Sequence, residues 1–165
     1  MRIGIGLGSN LGDRMANLRA ARNAIVGLGA GKSVLASRVY ETEPVGCEPG
    51  AGEFLNAILE IEYDSDPTAL LEKLLQIEES LGRDRDHGRN FSRKIDIDLL
   101  YADNLTVNNE RLQLPHPRLR QRKFVLQPLA EIRPGLVLPN GTESVSELLA
   151  QIQDSTKVKC FAERW

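Results

Sequence analysis

The six residues Ile95-Asp96-Ile97-Asp98-Leu99-Leu100 constrain the fold more than any other segment of the chain. Their alternation dictates a strand, with Ile95, Ile97 and Leu99 on one face and Asp96 and Asp98 on the other. The apolar face needs a core, and strand rise sets the two aspartate Cα atoms about 6.6 Å apart on the opposite face. Two carboxylates so placed repel each other, and a cation between them removes that cost. With no Cys or His cluster nearby, carboxylate-only ligation favours a hard ion, Mg2+ or Mn2+, of the kind that bridges nucleotide phosphates. The alternative is a pair of acids salt-bridged to neighbouring arginines.

The segments around this strand supply its partners. Residues 2–8 read as a short buried strand in which Ile3, Ile5 and Leu7 alternate with glycines. Met15, Leu18, Ala21, Ile25 and Leu28 recur at helical spacing, which predicts a helix over 14–28 ended by Gly27, Gly29 and Gly31. Val34 to Tyr40 read as a strand. A Pro- and Gly-rich loop leads from there to a strand over 54–63, with Phe54, Asn56, Ile58 and Glu60 on one face and Leu55, Ala57, Leu59 and Ile61 on the other. Asp66-Pro67 is an N-cap followed by a proline at the first helical position, and the helix it opens closes at Gly82.

Beyond the aspartate strand, Asp103-Asn104 reads as the turn of a hairpin returning through Thr106-Val107. Residues 111–122 read as a proline-punctuated loop, and Phe124 to Ile132 as a short apolar run. Ser144-Val-Ser-Glu147 is a capping box that opens a last helix. The order β-α-β-β-α-β predicts an α+β fold, a ferredoxin-like βαββαβ sandwich with additional C-terminal strands and helix. With 165 residues and no internal repeat or linker, a single domain over 1–165 is expected.

The fold hosts many functions, so function must come from the site. Net charge is only −2, which does not suggest a general nucleic-acid binder. Arg83, Arg85, Arg89, Arg93 and Lys94 nevertheless crowd into 83–94, and Arg111, Arg118, Arg120, Arg122 and Lys123 into 111–123. Two basic runs bracketing an aspartate pair point to a polyanion site. Arginine binds phosphate bidentately, so the first run reads as a triphosphate clamp. His116, restrained between Pro115 and Pro117 with Arg111 and Arg122 on either side, suits a phosphate hydrogen-bond donor. Gly27-Leu-Gly-Ala-Gly31-Lys32-Ser33 imitates a P-loop, but position 26 is Val and the segment follows a helix instead of opening one. Gly4, Gly6 and Gly8 do not complete a dinucleotide fingerprint. No stretch approaches the ~20 apolar residues of a membrane span. Two cysteines, Cys47 and Cys160, without metal-ligand spacing fit a reducing cytoplasm. A non-catalytic RNA-binding module is disfavoured because aromatics are only 5% of the chain; another metal-dependent enzyme acting on nucleotides stays open.

An ordered set of short pieces narrows this. Gly8-Ser9-Asn10-Leu11-Gly12, Tyr40-x-Thr42-x-Pro44-Val45-Gly46 and Phe54-Leu55-Asn56-Ala57 come first. Glu78, Gly82-Arg83-x-Arg85, Arg93-x-x-Asp96-Ile-Asp98-Leu-Leu, Arg111-Leu, Pro115-His116-Pro117, Arg122 and Phe124-Val-Leu-x-Pro128-Leu follow. Together, over roughly 3–140, they resemble the 6-hydroxymethyl-7,8-dihydropterin pyrophosphokinase family, which moves diphosphate from ATP to a pterin alcohol in folate synthesis. The resemblance implies two Mg2+ ions held by Asp96 and Asp98, with Arg83 and Arg93 stabilising the transferring diphosphate. It implies that Arg85, Arg89, Arg111, His116 and Arg122 hold ATP and that Leu99 lines the adenine site. Phe54 and Phe124 would stack on the pterin, Asn56 would bind its edge, and Thr42, Pro44 and Val45 would complete the pocket. ATP and the pterin are the expected partners, with no nucleic acid or membrane, and the chain is expected to be a cytoplasmic monomer. One departure stands out: Asn90-Phe91-Ser92 replaces the Gly-Pro or Ala-Pro pattern that many members carry before the arginine matching Arg93.

Overall fold

The computed structural model describes residues 1–28, 34–45, 47–82 and 92–165. The elements are β1 (Arg2–Ser9), α1 (Arg14–Leu28), β2 (Val34–Ala36), β3 (Val39–Thr42), β4 (Phe54–Glu62), α2 (Pro67–Ser80) and β5 (Asp96–Ala102), then β6 (Val107–Asn108), β7 (Gln113–Leu114), α3 (Lys123–Ile132), α4 (Val145–Gln151) and β8 (Val158–Ala162). A 3-10 turn, Leu119–Gln121, precedes α3. Five strands run in the order β5-β1-β4-β3-β8, and β2 also pairs with β4. Every pairing is antiparallel.

Two cores lie on opposite faces of this sheet. On the first, Ile3, Ile5, Leu7, Leu55, Leu59, Ile97 and Leu99 meet Leu18 and Ile25 of α1 and Leu70 and Leu74 of α2. The helices bury these residues because they recur every three to four positions. Asp66 caps α2 by accepting the Thr68 N–H at 3.1 Å, and Gly82 follows the helix at φ +85°, as its glycine predicts. On the second face, Ile58, Leu100 and Tyr101 pack against Leu126 and Leu129 of α3, Val145 of α4 and Leu119. The capping box at Ser144 forms, with Ser144 N–H donating to Glu147 at 2.7 Å.

The expected strand over 34–40 is interrupted. Ser37 N–H donates to the Ile58 carbonyl, and the Ser37 Oγ accepts the Ile58 N–H, both at 2.9 Å. A side chain thus takes a ladder position, and β2 and β3 part there. The expected hairpin after β5 also differs. The chain does turn at Asp103, at φ 41°, but β6 pairs with β7 in a separate two-stranded sheet. On β5, the Leu100 carbonyl accepts the His116 N–H at 2.7 Å instead. The apolar run from Phe124 is a helix despite Pro128 inside it.

The glycines of β1 face the second layer. A Cβ on Gly4 would collide with the Tyr101 ring. A register shift opposite Gly4/Ile5 turns both Leu100 and Tyr101 toward that layer. There the Tyr101 hydroxyl donates to buried Glu60 at 2.7 Å, and Arg133, just past α3, donates to the same carboxylate at 3.0 Å. β8 closes the far side of β3, and Trp165 beyond it donates its indole N–H to the Ser37 carbonyl at 2.7 Å. Gly4→Ala is expected to destabilise the fold by about 1–3 kcal/mol through overpacking. Gly27→Ala, with nothing within 4 Å of the new methyl group, should stabilise it by about 0.4–1 kcal/mol. Thermal denaturation of the two variants beside wild type checks both signs.

Candidate active site

The open part of the second sheet face forms a cavity of about 280 Å3. Strand register builds it. Gly8 of β1 stands opposite Asn56 on one side and Asp96 on the other, and Gly6 stands opposite Ile58 and Asp98. Gly6 and Gly8 line the cavity, so its floor there is bare backbone. With strands about 4.8 Å apart, Asn56 and Asp96 stand roughly 10 Å from each other across that floor.

On the β4 side the walls are Thr42, Val45, Phe54 and Asn56. Asn56 and Thr42 are buried, and the Asn56 amide donates to the Thr42 hydroxyl oxygen at 2.7 Å. That bond fixes the carboxamide, whose oxygen lies 3.1 Å from where a Cβ on Gly8 would be. Phe124 and Val125, at the start of α3, line the cavity as well. The result is a pocket of mixed apolar walls and a few fixed polar groups, suited to a flat heteroaromatic ligand.

On the β5 side stand Asp96 and Asp98, on one strand face as their spacing predicts. Each meets an arginine: Arg93 Nη1 is 3.1 Å from Asp96 and Arg122 Nη1 is 3.7 Å from Asp98. The arginine-paired arrangement is therefore present, and its arginines are cavity residues themselves. Burial and then the neighbouring Arg118 lower the Arg122 pKa, while Asp98 and Asp96 raise it; a guanidinium stays charged in either case. The Arg122 guanidinium carbon also lies 5.3 Å from the Phe124 ring centre, within cation–π range.

His116 sits beside this array. Its Nδ1 accepts the Arg118 N–H at 3.2 Å. In the neutral ring that leaves the proton on Nε2, as a donor. Burial, followed by the charges of Arg122 and Arg118, pushes its pKa down to about 4 against a small opposing pull from Asp96.

The cavity thus brings together Thr42, Val45, Phe54, Asn56, Arg93, Asp96, Asp98, Arg122 and Phe124. Pro44 lies between two lining residues, Glu43 and Val45, without lining the cavity itself. Leu99 is buried in the first core, on the face away from the aspartates, and does not line the cavity. Arg111 lies outside the cavity, on the surface, paired with Glu72 of α2 at 3.0 Å. Arg83, Arg85 and Arg89 lie outside the described residues. Sequence reasoning passed over Arg118 and Cys47, which both line the cavity. Arg118 was visible only as one member of a basic run. Cys47 gave no signal; burial pushes its thiol pKa up.

The donor chemistry suits a hard divalent ion. Asp96 and Asp98 stay partly exposed, at 27% and 40%. No cluster of three or more His, Cys, Asp or Glu occurs among the described residues. Two carboxylates with phosphate oxygens and water completing the shell is how Mg2+ is commonly bound. Among the described residues, no helix is long and apolar enough to cross a membrane.

A family model described as 7,8-dihydro-6-hydroxymethylpterin-pyrophosphokinase (HPPK) matches residues 4–134. A protein of Methylorubrum extorquens named 2-amino-4-hydroxy-6-hydroxymethyldihydropteridine pyrophosphokinase is 44% identical over 92% of this chain and 93% of its own. One of the same name from Haemophilus influenzae is 38% identical over 94% and 95%. Among solved structures, an HPPK-DHPS in complex with substrates superposes with a TM-score of 0.68 at 13% identity, over 90% of this chain and 42% of that one. Wild-type Plasmodium falciparum HPPK-DHPS gives 0.67 at 15% identity, over 91% and 44%. The chain spans about two-fifths of the length of these solved chains, and the likeness shows a shared fold.

The His116 ring is expected to titrate near pH 4 by NMR, against an ordinary value of 6.5. Between those values the unfolded chain binds the proton and the folded one does not. This residue's contribution to stability is therefore complete above about pH 6.5 and is lost as pH falls toward 4. A midpoint near 6.5 would contradict the buried placement.

Proposed function

The chain belongs to the 7,8-dihydro-6-hydroxymethylpterin-pyrophosphokinase family, and from that membership we propose that it transfers diphosphate from ATP to the hydroxymethyl group of 6-hydroxymethyl-7,8-dihydropterin, releasing AMP. The observation that carries this reading is a single cavity that joins an amide-and-phenylalanine pocket to a carboxylate–arginine array. The reading takes 1–165 as one cytoplasmic domain with the strand order of a ferredoxin-like fold.

The pterin occupies the pocket of Thr42, Asn56, Phe54 and Phe124. The fixed Asn56 amide meets its polar edge, and the rings of Phe54 and Phe124 cover its faces, with Pro44 and Val45 at the rim. ATP lies along the β5 side. Arg93 and Arg122 exchange carboxylate for phosphate contacts, and neutral His116 donates from Nε2 to a phosphate oxygen. Arg83, Arg85 and Arg89 belong to the same phosphate-binding set.

The hydroxymethyl oxygen forms a bond to the β-phosphorus as the bond from that phosphorus to the α–β bridging oxygen breaks. AMP leaves with the bridging oxygen, and the hydroxyl proton passes to solvent. Catalysis is positioning and charge stabilisation. Asp96 and Asp98 would hold two Mg2+ ions, which when bound neutralise phosphate charge and lower the pKa of the attacking hydroxyl. The register through Gly8 sets the reach of the reaction, because it fixes how far apart the backbone positions of Asn56 and Asp96 stand.

AMP is expected from MgATP only when the pterin is present, and chelation should abolish it. ADP as the product would replace this reading with another class of nucleotide enzyme. Asp98→Ala should lower turnover by about 100-fold or more with an unchanged circular-dichroism spectrum. Turnover equal to wild type would remove Asp98 from the mechanism.

A further inference from the structure

Three segments distant in sequence meet beside Arg93. Asn10 holds the Arg93 backbone from both sides: its N–H donates to the Arg93 carbonyl at 3.2 Å, and its Oδ1 accepts the Arg93 N–H at 2.8 Å. The Asn10 amide then donates to the Ser92 hydroxyl oxygen at 3.1 Å and to the Gly52 carbonyl at 3.4 Å. Ser92 turns both of its donors on one atom, Glu48 Oε1, with the N–H at 2.9 Å and the O–H at 2.6 Å. None of these contacts belongs to the mechanism derived above.

We propose that Glu48 is a positioning residue: through Ser92 it ties the segment 47–52 to the chain just before Arg93, and so fixes the Arg93 guanidinium against Asp96. This rests on the pyrophosphokinase reading for its kinetic consequence, though not for its structural one. A serine hydroxyl has one proton and a free rotor. With that proton committed to Glu48, an Oγ lone pair is turned toward Asn10. The bond is charge-assisted and short, and a carboxylate-oriented hydroxyl accepts more strongly. The Ser92 hydroxyl bond is the first cause holding the Glu48 carboxyl below its usual range, with backbone hydrogen bonds and the Arg93 charge adding to it, so the acceptor is ionised at neutral pH.

The tether has a second end. Cys47, next to Glu48, lines the cavity together with Arg93. One carboxylate therefore connects a wall of the ligand pocket to the arginine that faces the transferring group. Seating of the wall at Cys47 and placement of Arg93 become one event.

The test joins kinetics to amide hydrogen exchange on Glu48→Ala, Glu48→Gln, Ser92→Ala and the double variant Glu48→Ala/Ser92→Ala. Glu48→Ala is expected to lower kcat by about tenfold with a smaller change in the pterin KM, and to speed exchange at the Ser92 and Arg93 amides. Glu48→Gln, which keeps an acceptor oxygen, should recover most of both. The double variant should be no worse than the worse single one, since the two residues act as a unit. Unchanged kcat in Glu48→Ala, or losses that multiply in the double variant, overturns the proposal. Ser92→Ala removes one donor and no charge, and carries the test should Glu48→Ala fail to fold. A wild-type chain that makes no AMP overturns the functional reading. Exchange at Ser92 and Arg93 then still decides the tether, and unchanged rates in Glu48→Ala would break it.

Discussion

β1 lies between two antiparallel partners, and its register with each decides where every cavity side chain emerges. Gly8 faces Asn56 across one ladder and Asp96 across the other. Strand spacing then fixes the separation of the two Cα atoms that carry the amide and the carboxylate. A one-residue slip on either side would turn Asn56 or both aspartates into the helix-packed core. The apolar residues that prevent the slip are Ile3, Ile5 and Leu7, all buried. The same alternation that builds the first core thus aims the chemistry on the opposite face.

Charge organisation follows from that geometry. Two carboxylates on one strand face are costly alone, and Arg93 and Arg122 meet them from different parts of the chain. Arg93 is three residues upstream on the approach to β5, and Arg122 immediately precedes α3. Helix α3 is in turn held at its far end by Arg133 on buried Glu60, which also accepts the Tyr101 hydroxyl. Burial and that bond to Glu60 raise the Tyr101 pKa far above its usual value, so the phenol stays a donor. A cavity residue at one end of α3 and a structural ion pair at the other are linked by ten residues of helix.

Most of the element order was legible because it rests on local periodicity. Helices α1 and α2, strand β4 with its two faces, and the aspartate strand follow from spacing alone. The break at Ser37 was not legible, since only the folded sheet brings that hydroxyl to the Ile58 N–H. Nor was α3, whose apolar run includes Pro128 and reads as ambiguous when short. At the site, residue type and period found Asp96 and Asp98; Asn56 and Phe54 came only from the family resemblance, since period alone places them on a strand face without a role. Charge clustering was a weaker guide. It gave equal weight to Arg111, which pairs with Glu72 on the surface, and to Arg122, which lines the cavity. A run of bases carries no direction until the chain folds: Arg120 turns to the Leu138 and Pro139 carbonyls, whereas Arg118 and Arg122 line the cavity. Ser92 drew notice only as a departure from a family pattern; its bonds to Glu48 depend on a segment more than 40 positions away.

Strand β3, which carries Thr42 into the pocket, receives its outer partner from residues 158–162. During synthesis the ribosome delivers that partner after every other described strand. Until then the outer edge of β3 has unpaired backbone groups, the kind of edge on which other chains can pair. The wall of the pocket thus gains its outer strand late, and a growing chain keeps an open strand edge beside the cavity.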